Sequence, residues 1–458
     1  MSTFYIEQFG CRATQADGAA IERQLRERGC VAAREAGLAD VVVVNTCTVT
    51  SAADAQARDA IRKIHAANPT TKIIVTGCYA QRAPGEIAAL PGVTHVVGNS
   101  HKAEIPRLLT TISAALPIIQ GEETAPYHSA PILSGDIFAH SEVLVAPVLG
   151  GEGNHTRPTL KIQDGCNSRC SFCVIPFVRG RSRSLPVATV MSETQRLSDS
   201  GFREIVLSGI NLGTYGRDLT PRVEFLELLQ RILRETSVER LRISSIEPMD
   251  VTQDLIELFA ATDRIAPHFH MPLQSASNRI LAAMHRWYRA EHYARRLELV
   301  RERLPHAGIG ADLISGFPGE TDGDHAATMR FVEERSFTYL HVFSYSARPG
   351  TRGASLGGQL CGDVIKGRAR ELRALGERKA AEFRESQMGQ TLRVLTLHRS
   401  AKDDRRYTPA LSGNYLSVMI PQILPHNQWL TVSLTGPSGK QILAQPVESS
   451  LVHVGGTV

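Results

Sequence analysis

Apolar residues in the first hundred positions come in short runs, each followed by a stretch of helical spacing, and this unit repeats three times. The run Thr3 to Gln8 leads through Gly10-Cys11 into a helical pattern reaching about Arg28. Val41 to Asn45 leads to Thr46-Cys47 and a helix over about Ser51 to Ala67, and Lys72 to Thr76 leads to Gly77-Cys78 and a further helical stretch. Short β-rich runs alternating with helices predict a parallel α/β sheet. From Arg157 to about Arg352 six more runs alternate with helical stretches, beginning near Thr159, Glu204, Arg240, His268, Gly308 and Tyr339. Six units are too few for a closed eight-stranded barrel and predict a partial (β/α)6 barrel, with its active site at the strands' C-terminal ends. Between the two regions, Leu109 to His155 has no clear period and predicts an irregular connector. A helical, arginine-rich stretch from about Asp363 to Gln387 is followed by short runs near Arg393–Leu397, Tyr415–Ile420, Trp429–Leu434 and Gln441–Leu443. These predict a small antiparallel β-barrel, a type that commonly binds nucleic acid. The fold class is α/β in four segments: 1–110, 111–155, 156–385 and 386–450.

The chemistry follows from cysteine placement. Cys166, Cys170 and Cys173 form a C-x3-C-x2-C run on one loop after the first barrel strand. Three thiolates so spaced can wrap one iron–sulfur cube. One of its four irons then lacks a protein ligand, and an open position marks a catalytic rather than a structural metal. A zinc site would want a fourth ligand at finger-like spacing, and no cysteine follows until Cys361. Cys11, Cys47 and Cys78 each fall just past a predicted strand of the parallel sheet. Ligands of such sheets bind beyond the strands' carboxyl ends, so the three converge there although about thirty residues separate them. Any one of them alone would read as a small buried hydrophobe; together they predict a second [4Fe–4S] site with an open iron. Gly10 and Gly77 precede two of them and permit tight turns. Cys30 and Cys361 share no such placement and read as structural thiols.

Composition sets outer limits. At 458 residues the chain should hold about three domains. Hydrophobic residues at 42% and charged residues at 21% suit a soluble protein with real cores. No secretory leader or bilayer-length apolar run stands out, so a cytoplasmic location is expected, with cysteines serving as ligands or buried thiols. A net charge of only +5 means any nucleic-acid contact must be local. Lys402, Arg405 and Arg406 could meet phosphates, and Tyr407 or Tyr415 could stack on a base. His268 and His270 alternate along a strand and share a face, but the cysteines already supply the metal chemistry.

The cysteine loop, with Phe172 just before its third cysteine, resembles the radical S-adenosylmethionine (SAM) superfamily, in which the open iron chelates the amino and carboxylate groups of SAM. The resemblance implies further SAM contacts from Ser208, Gly209 and Asn211 after the second strand, Ser244 and Glu247 after the third, and Ile314 and Gly316 after the fifth. Over nearly its whole length the chain is similar to the methylthiotransferases, which join a three-cysteine domain, a radical SAM core and a small β domain. The segments Ile162 to Pro176, Arg179 to Ser184, Gly209 to Gly216 and His341 to Ser346 look like the branch acting on N6-threonylcarbamoyladenosine in tRNA, whereas Arg12 to Asp17 departs from the family's common version. The implied activity is methylthiolation of adenosine 37 at carbon 2, with two [4Fe–4S] clusters and SAM as cofactors. The implied partners are a tRNA anticodon loop, an electron donor protein and a sulfur source. No catalytic residue beyond the cluster ligands is implied. Alternatives are methylthiolation of N6-isopentenyladenosine or of a ribosomal aspartate, or a non-catalytic iron–sulfur RNA-binding protein.

Overall fold

Four consecutive valines, Val41–Val44, are fully buried, as a central strand of a parallel sheet covered on both faces requires. The computed structural model describes residues 2–114, 129–140, 143–144, 156–400 and 404–447. These form two compact units. The first contains the described residues up to Leu144 with Lys161–Leu185 and Ser346–Ala354; the second contains Pro186–Tyr345, the described residues from Ser355 onward and the short stretch before Lys161. The grouping cuts across the four consecutive segments expected from sequence, because the loop bearing Cys166 clusters with the N-terminal sheet.

That sheet has six parallel strands: β1 (Thr3–Gln8), β2 (Val31–Ala32), β3 (Val41–Thr46), β4 (Lys72–Gly77), β5 (Val93–Val97) and β6 (Ile132–Leu133), in the order β2-β1-β3-β4-β5-β6. Helices Arg12–Glu27 and Ser51–Ala67 follow β1 and β3. Their apolar stripes, Ile21 and Leu25 on one and Ala57, Ile61 and Ile64 on the other, belong to separate buried clusters that sandwich the sheet. Most of the predicted connector, including 145–149 of the run near Val143 to Leu149, lies outside the described residues; within the described part the chain is not all irregular, since 109–114 end a helix and Ile132–Leu133 form β6. Past it, β7 (Thr159–Lys161) leads into an antiparallel pair, β8 (Gln163–Asp164) and β9 (Arg183–Ser184), and the intervening loop carries three cysteines.

The second unit contains β10 (Glu204–Ser208), β11 (Arg240–Ile243), β12 (His268–His270), β13 (Gly308–Ser315) and β14 (Tyr339–Ser344). They form sheets of order β11-β10-β7 and β12-β13-β14, joined by a bridge between Leu241 and Ile265. All six barrel strands begin where the hydrophobic pattern places them. The C-terminal domain is a closed barrel of β15 (Thr391–Thr396), β16 (Thr408–Ser412), β17 (Ser417–Ile420), β18 (Trp429–Ser438) and β19 (Gln441–Pro446). It is not wholly antiparallel, because β17 and β19 pair in parallel. The strand β16 has no counterpart in the sequence reading: its five residues are all buried and so show no alternation.

The turn after β16 closes the lower end of the barrel strands. Arg242 donates to the carbonyls of Ser412 and Gly413, both at 2.9 Å. The missing side chain of Gly308 would lie 2.3 Å from the carbonyl oxygen of Asn414, so only glycine admits that turn. Beneath it, the fully buried Glu204 accepts from Arg240 at 2.5 Å, Arg242 at 2.8 Å and Arg157 at 3.2 Å. Burial opposes ionisation of Glu204, but the three guanidiniums outweigh it and hold the carboxyl far below its ordinary range.

Candidate active site

In the first unit the strand order reverses between β1 and β3, and such a reversal opens a crevice beyond the strand ends. Cys11 and Cys47 follow these two strands, and Cys78 follows β4 directly. Gly10 has φ +94°, and a Cβ there would lie 2.5 Å from Cys47 Cβ and 2.9 Å from its sulfur. The turn after β1 is thus pressed against Cys47. Cys47 and Cys78 are buried, while Cys11 is exposed. Burial first, then Cys78 and Cys11 nearby, push the Cys47 thiol up to about 12. Thiols so crowded ionise only when a cation compensates them, as in metal ligation.

The second cysteine set sits on the loop between β8 and β9, with all three thiols half-exposed. Gly165 has φ +72°, and a Cβ there would lie 2.0 Å from the Arg181 carbonyl oxygen, so the loop closes this tightly only with glycine. The Cys166 amide donates to the Gly180 carbonyl at 3.1 Å, which ties the loop's two ends together. Among the described residues each set offers three thiols and no fourth protein ligand, which is the donor set of an iron–sulfur cube with one open iron.

A buried charge network links the two sets. Arg179 closes the short helix Ile175–Arg179 that follows Cys173. It donates to Asp164 at 2.9 Å, and on its other arm to Asp17 at 3.0 Å and Thr14 at 3.3 Å, on the helix that begins after Cys11. Lys102 donates to Asp17 at 2.7 Å; Lys161 donates to Asp164 at 2.9 Å and also to Asp17. All five charged side chains are buried. Burial works against the Arg179 charge, yet Asp164, Cys78, Asp17 and Cys11 together hold its pKa well above the ordinary value. Three cations against two carboxylates leave an excess positive charge beside the thiols, which suits an anionic, thiolate-bound cluster. Sequence reasoning did not find Asp17, Lys102, Lys161 or Asp164. Charged residues inside an otherwise apolar strand, as at Lys161, were the available signal. It also did not find Arg348, which donates to Thr48 at 2.9 Å and pairs with Asp54 just after Cys47. Cys30 is buried in the core of this unit, whereas Cys361 is exposed and so is not a core thiol.

In the second unit Ser208 ends β10 with Gly209 and Asn211 just after it, Ser244 and Glu247 follow β11, and Ile314 lies next to the last residue of β13 with Gly316 just past its end, all at strand C-terminal ends. Glu247 is paired with Arg286, and burial raises its carboxyl pKa. Gly316, at φ +77°, packs against Ile365. Phe172, half-buried, belongs to the first unit. The two strand histidines have separate partners: His268 bonds the Tyr339 hydroxyl at 2.8 Å, and His270 lies 3.1 Å from Asp312. Of the candidate RNA contacts, Lys402 lies outside the described residues, Arg405 is exposed, and Arg406 is exposed but paired with Asp404 at 2.8 Å. Tyr415 is not placed to stack on a base. At φ +72° its ring stacks on His268 with centroids 4.5 Å apart, and Arg242 lies 5.3 Å above it, so it plugs the barrel.

A partial parallel barrel and an open three-cysteine loop define an iron–sulfur enzyme that uses SAM. Residues 160–332 match the Radical SAM superfamily, and residues 3–98 match Uncharacterized protein family UPF0004. The chain is 37% identical over 90% of its length to the threonylcarbamoyladenosine tRNA methylthiotransferase MtaB of Aquifex aeolicus, covering 95% of that protein. It is 34% identical over 88% of its length to the tRNA-2-methylthio-N(6)-dimethylallyladenosine synthase of Thermobifida fusca, covering 79% of it. Among solved structures it resembles the radical SAM methyltransferase TsrM of Kitasatospora setae, with TM-score 0.56 and 16% identity over 77% of this chain and 74% of that one, a likeness of fold. The chain belongs to the radical SAM methylthiotransferase family.

Proposed function

We propose that the protein methylthiolates carbon 2 of N6-threonylcarbamoyladenosine at position 37 of tRNA, in the cytoplasm. The observation that carries this reading is the pair of three-cysteine sets tied together by Arg179. The relatives named for this substrate support the choice of base. Carbon 2 of adenine is an unactivated C–H, out of reach of side-chain acid–base chemistry. With SAM, a cluster on Cys166, Cys170 and Cys173 supplies the radical chemistry this needs, and one on Cys11, Cys47 and Cys78 supplies the sulfur.

The chain's own residues hold these groups. Cys166, Cys170 and Cys173 anchor one [4Fe–4S] cluster and Cys11, Cys47 and Cys78 the other, each leaving a position open for an exogenous ligand. Ser208, Gly209, Asn211, Ser244, Ile314 and Gly316, at the strand ends of the second unit, would cradle SAM, and Phe172 is a candidate contact by its place before Cys173. Glu247, already neutralised by Arg286, shapes that cradle without needing a further partner. The Arg179 network offsets the negative charge of the thiolates. Arg405 and Arg406 meet the tRNA backbone, with Lys402 beside them in sequence. An electron donor protein and a sulfur source complete the set of partners.

The test is mass spectrometry of tRNA nucleosides from a strain lacking the gene, beside its parent. Loss of the 2-methylthio derivative with accumulation of N6-threonylcarbamoyladenosine is the expected result. Loss of the isopentenyl analogue instead would keep the chemistry and overturn the substrate.

A further inference from the structure

One face of the second unit's β13–β14 ladder carries polar groups that cluster binding does not use. A Cβ on Gly310 would fall 2.0 Å from the Tyr339 ring, so these paired residues share a face. Strand periodicity then puts the next two pairs of the ladder on the same face: Asp312 with His341, and Ile314 with Phe343. Below, Tyr339 contacts His268 and Tyr415, which close the floor. In the middle row one carboxylate oxygen of Asp312 lies 3.2 Å from His341 Nδ1 and 3.1 Å from His270 Nε2. Ser245 fixes the other side of His270, at 3.1 Å from Nδ1. Above, the row opens. The His341 side chain is 55% exposed and Phe343 is 44% exposed.

The arrangement is asymmetric. Asp312 occupies Nδ1 of His341, which turns Nε2 away from the carboxylate on a ring that stays accessible. Phe343, one row higher on the same face, offers an apolar surface beside it. The open face therefore presents one oriented hydrogen-bonding nitrogen next to an aromatic ring. The two adenosine types acted on by the relatives differ in one substituent. Threonylcarbamoyl carries urea N–H groups, a hydroxyl and a carboxylate, whereas dimethylallyl carries no polar atom. An oriented imidazole serves the first and is left without a partner by the second, and such a loss is how a polar site rejects an apolar analogue.

We propose that His341, positioned by Asp312, is a specificity-determining residue that hydrogen-bonds the polar N6 substituent of the adenosine substrate. The inference rests on the methylthiolation reading above. Its test compares kcat/KM for methylthiolation of tRNA bearing N6-threonylcarbamoyladenosine with that for tRNA bearing N6-isopentenyladenosine. His341→Phe should reduce the preference for the first by about tenfold to a hundredfold, mainly through KM. Iron content and tRNA-independent SAM cleavage should be unchanged, which excludes misfolding. His341→Gln, which keeps a hydrogen-bonding group, should restore part of the preference, and Phe343→Leu should weaken both substrates alike. An active wild type beside a His341→Phe enzyme with undiminished preference would overturn this inference alone. A wild type inactive on threonylcarbamoyl tRNA would overturn the reaction reading and this inference with it.

Discussion

The two cysteine sets reach similar ends by opposite routes. Cys166, Cys170 and Cys173 lie within eight positions on one loop, so their convergence is set by local backbone. Cys11, Cys47 and Cys78 span most of a domain and meet only because three parallel strands stop at one edge. The loop set is half-exposed and closed by its own backbone bond, whereas Cys47 and Cys78 are buried and depend on neighbours such as Gly10 and Asn99. A site built from one loop can tolerate movement of the sheet. A site built from three strand ends inherits every error in the sheet's packing.

The largest expected effects separate the two sets chemically. Cys166→Ala, Cys170→Ala or Cys173→Ala should each abolish SAM cleavage, read as 5′-deoxyadenosine by chromatography under reducing, anaerobic conditions. Cys47→Ala should spare tRNA-independent cleavage, remove about half of the bound iron and stop methylthio transfer. If the Cys47 variant made product at the normal rate, the strand-end set would not hold a working cofactor.

What the sequence revealed follows the same division. The loop set was legible because its spacing is itself the signal, and the strand-end set because the hydrophobic runs before each cysteine are long and regular. The network joining them was not legible. Asp17 lies in a helix, Lys102 some eighty residues on and Lys161 on a strand, and only the fold makes them neighbours. Tyr415 misled for a related reason: an aromatic residue between two short strands reads the same whether it faces solvent or, as here, fills the end of another sheet.

Breaking a buried pair leaves a partner charged and unsatisfied, at about 3–5 kcal/mol. Two such changes sharpen the contrast between sites that serve the cysteines and sites that serve only the fold. Arg179→Gln should destabilise the protein by about that amount and lower iron retention at both sets, since its two arms reach Asp164 and Asp17. Glu204→Gln should cost a similar amount in urea-unfolding free energy without changing iron content, because it strands Arg157, Arg240 and Arg242 away from any thiol. Its effect has a defined pH sign. The folded carboxyl is held below its ordinary value of 4.5, so its contribution is complete above that pH and is lost as pH falls towards the folded value. The difference between wild type and Glu204→Gln should therefore shrink below about pH 4.5.

The finest probe adds one methyl group to each cysteine turn. Gly10 and Gly165 both have positive φ, where a side chain costs about 1–2 kcal/mol whatever the space around it. Their surroundings differ. The new Cβ at Gly10→Ala meets Cys47 Cβ at 2.5 Å and its sulfur at 2.9 Å, so the backbone just past β3 must move and carries the sulfur with it. At Gly165→Ala it meets the Arg181 carbonyl oxygen at 2.0 Å, a main-chain atom beside the bond that closes the cysteine loop. Gly10→Ala should thus fold, keep SAM cleavage and lose part of the methylthio transfer. Gly165→Ala should weaken SAM cleavage itself and with it every later step. Measuring 5′-deoxyadenosine and methylthiolated nucleoside side by side in both variants reads the two effects separately. Equal losses of both products in the Gly10 variant would mean that the turn after β1 supports the loop set as well, and that the two sites are mechanically one.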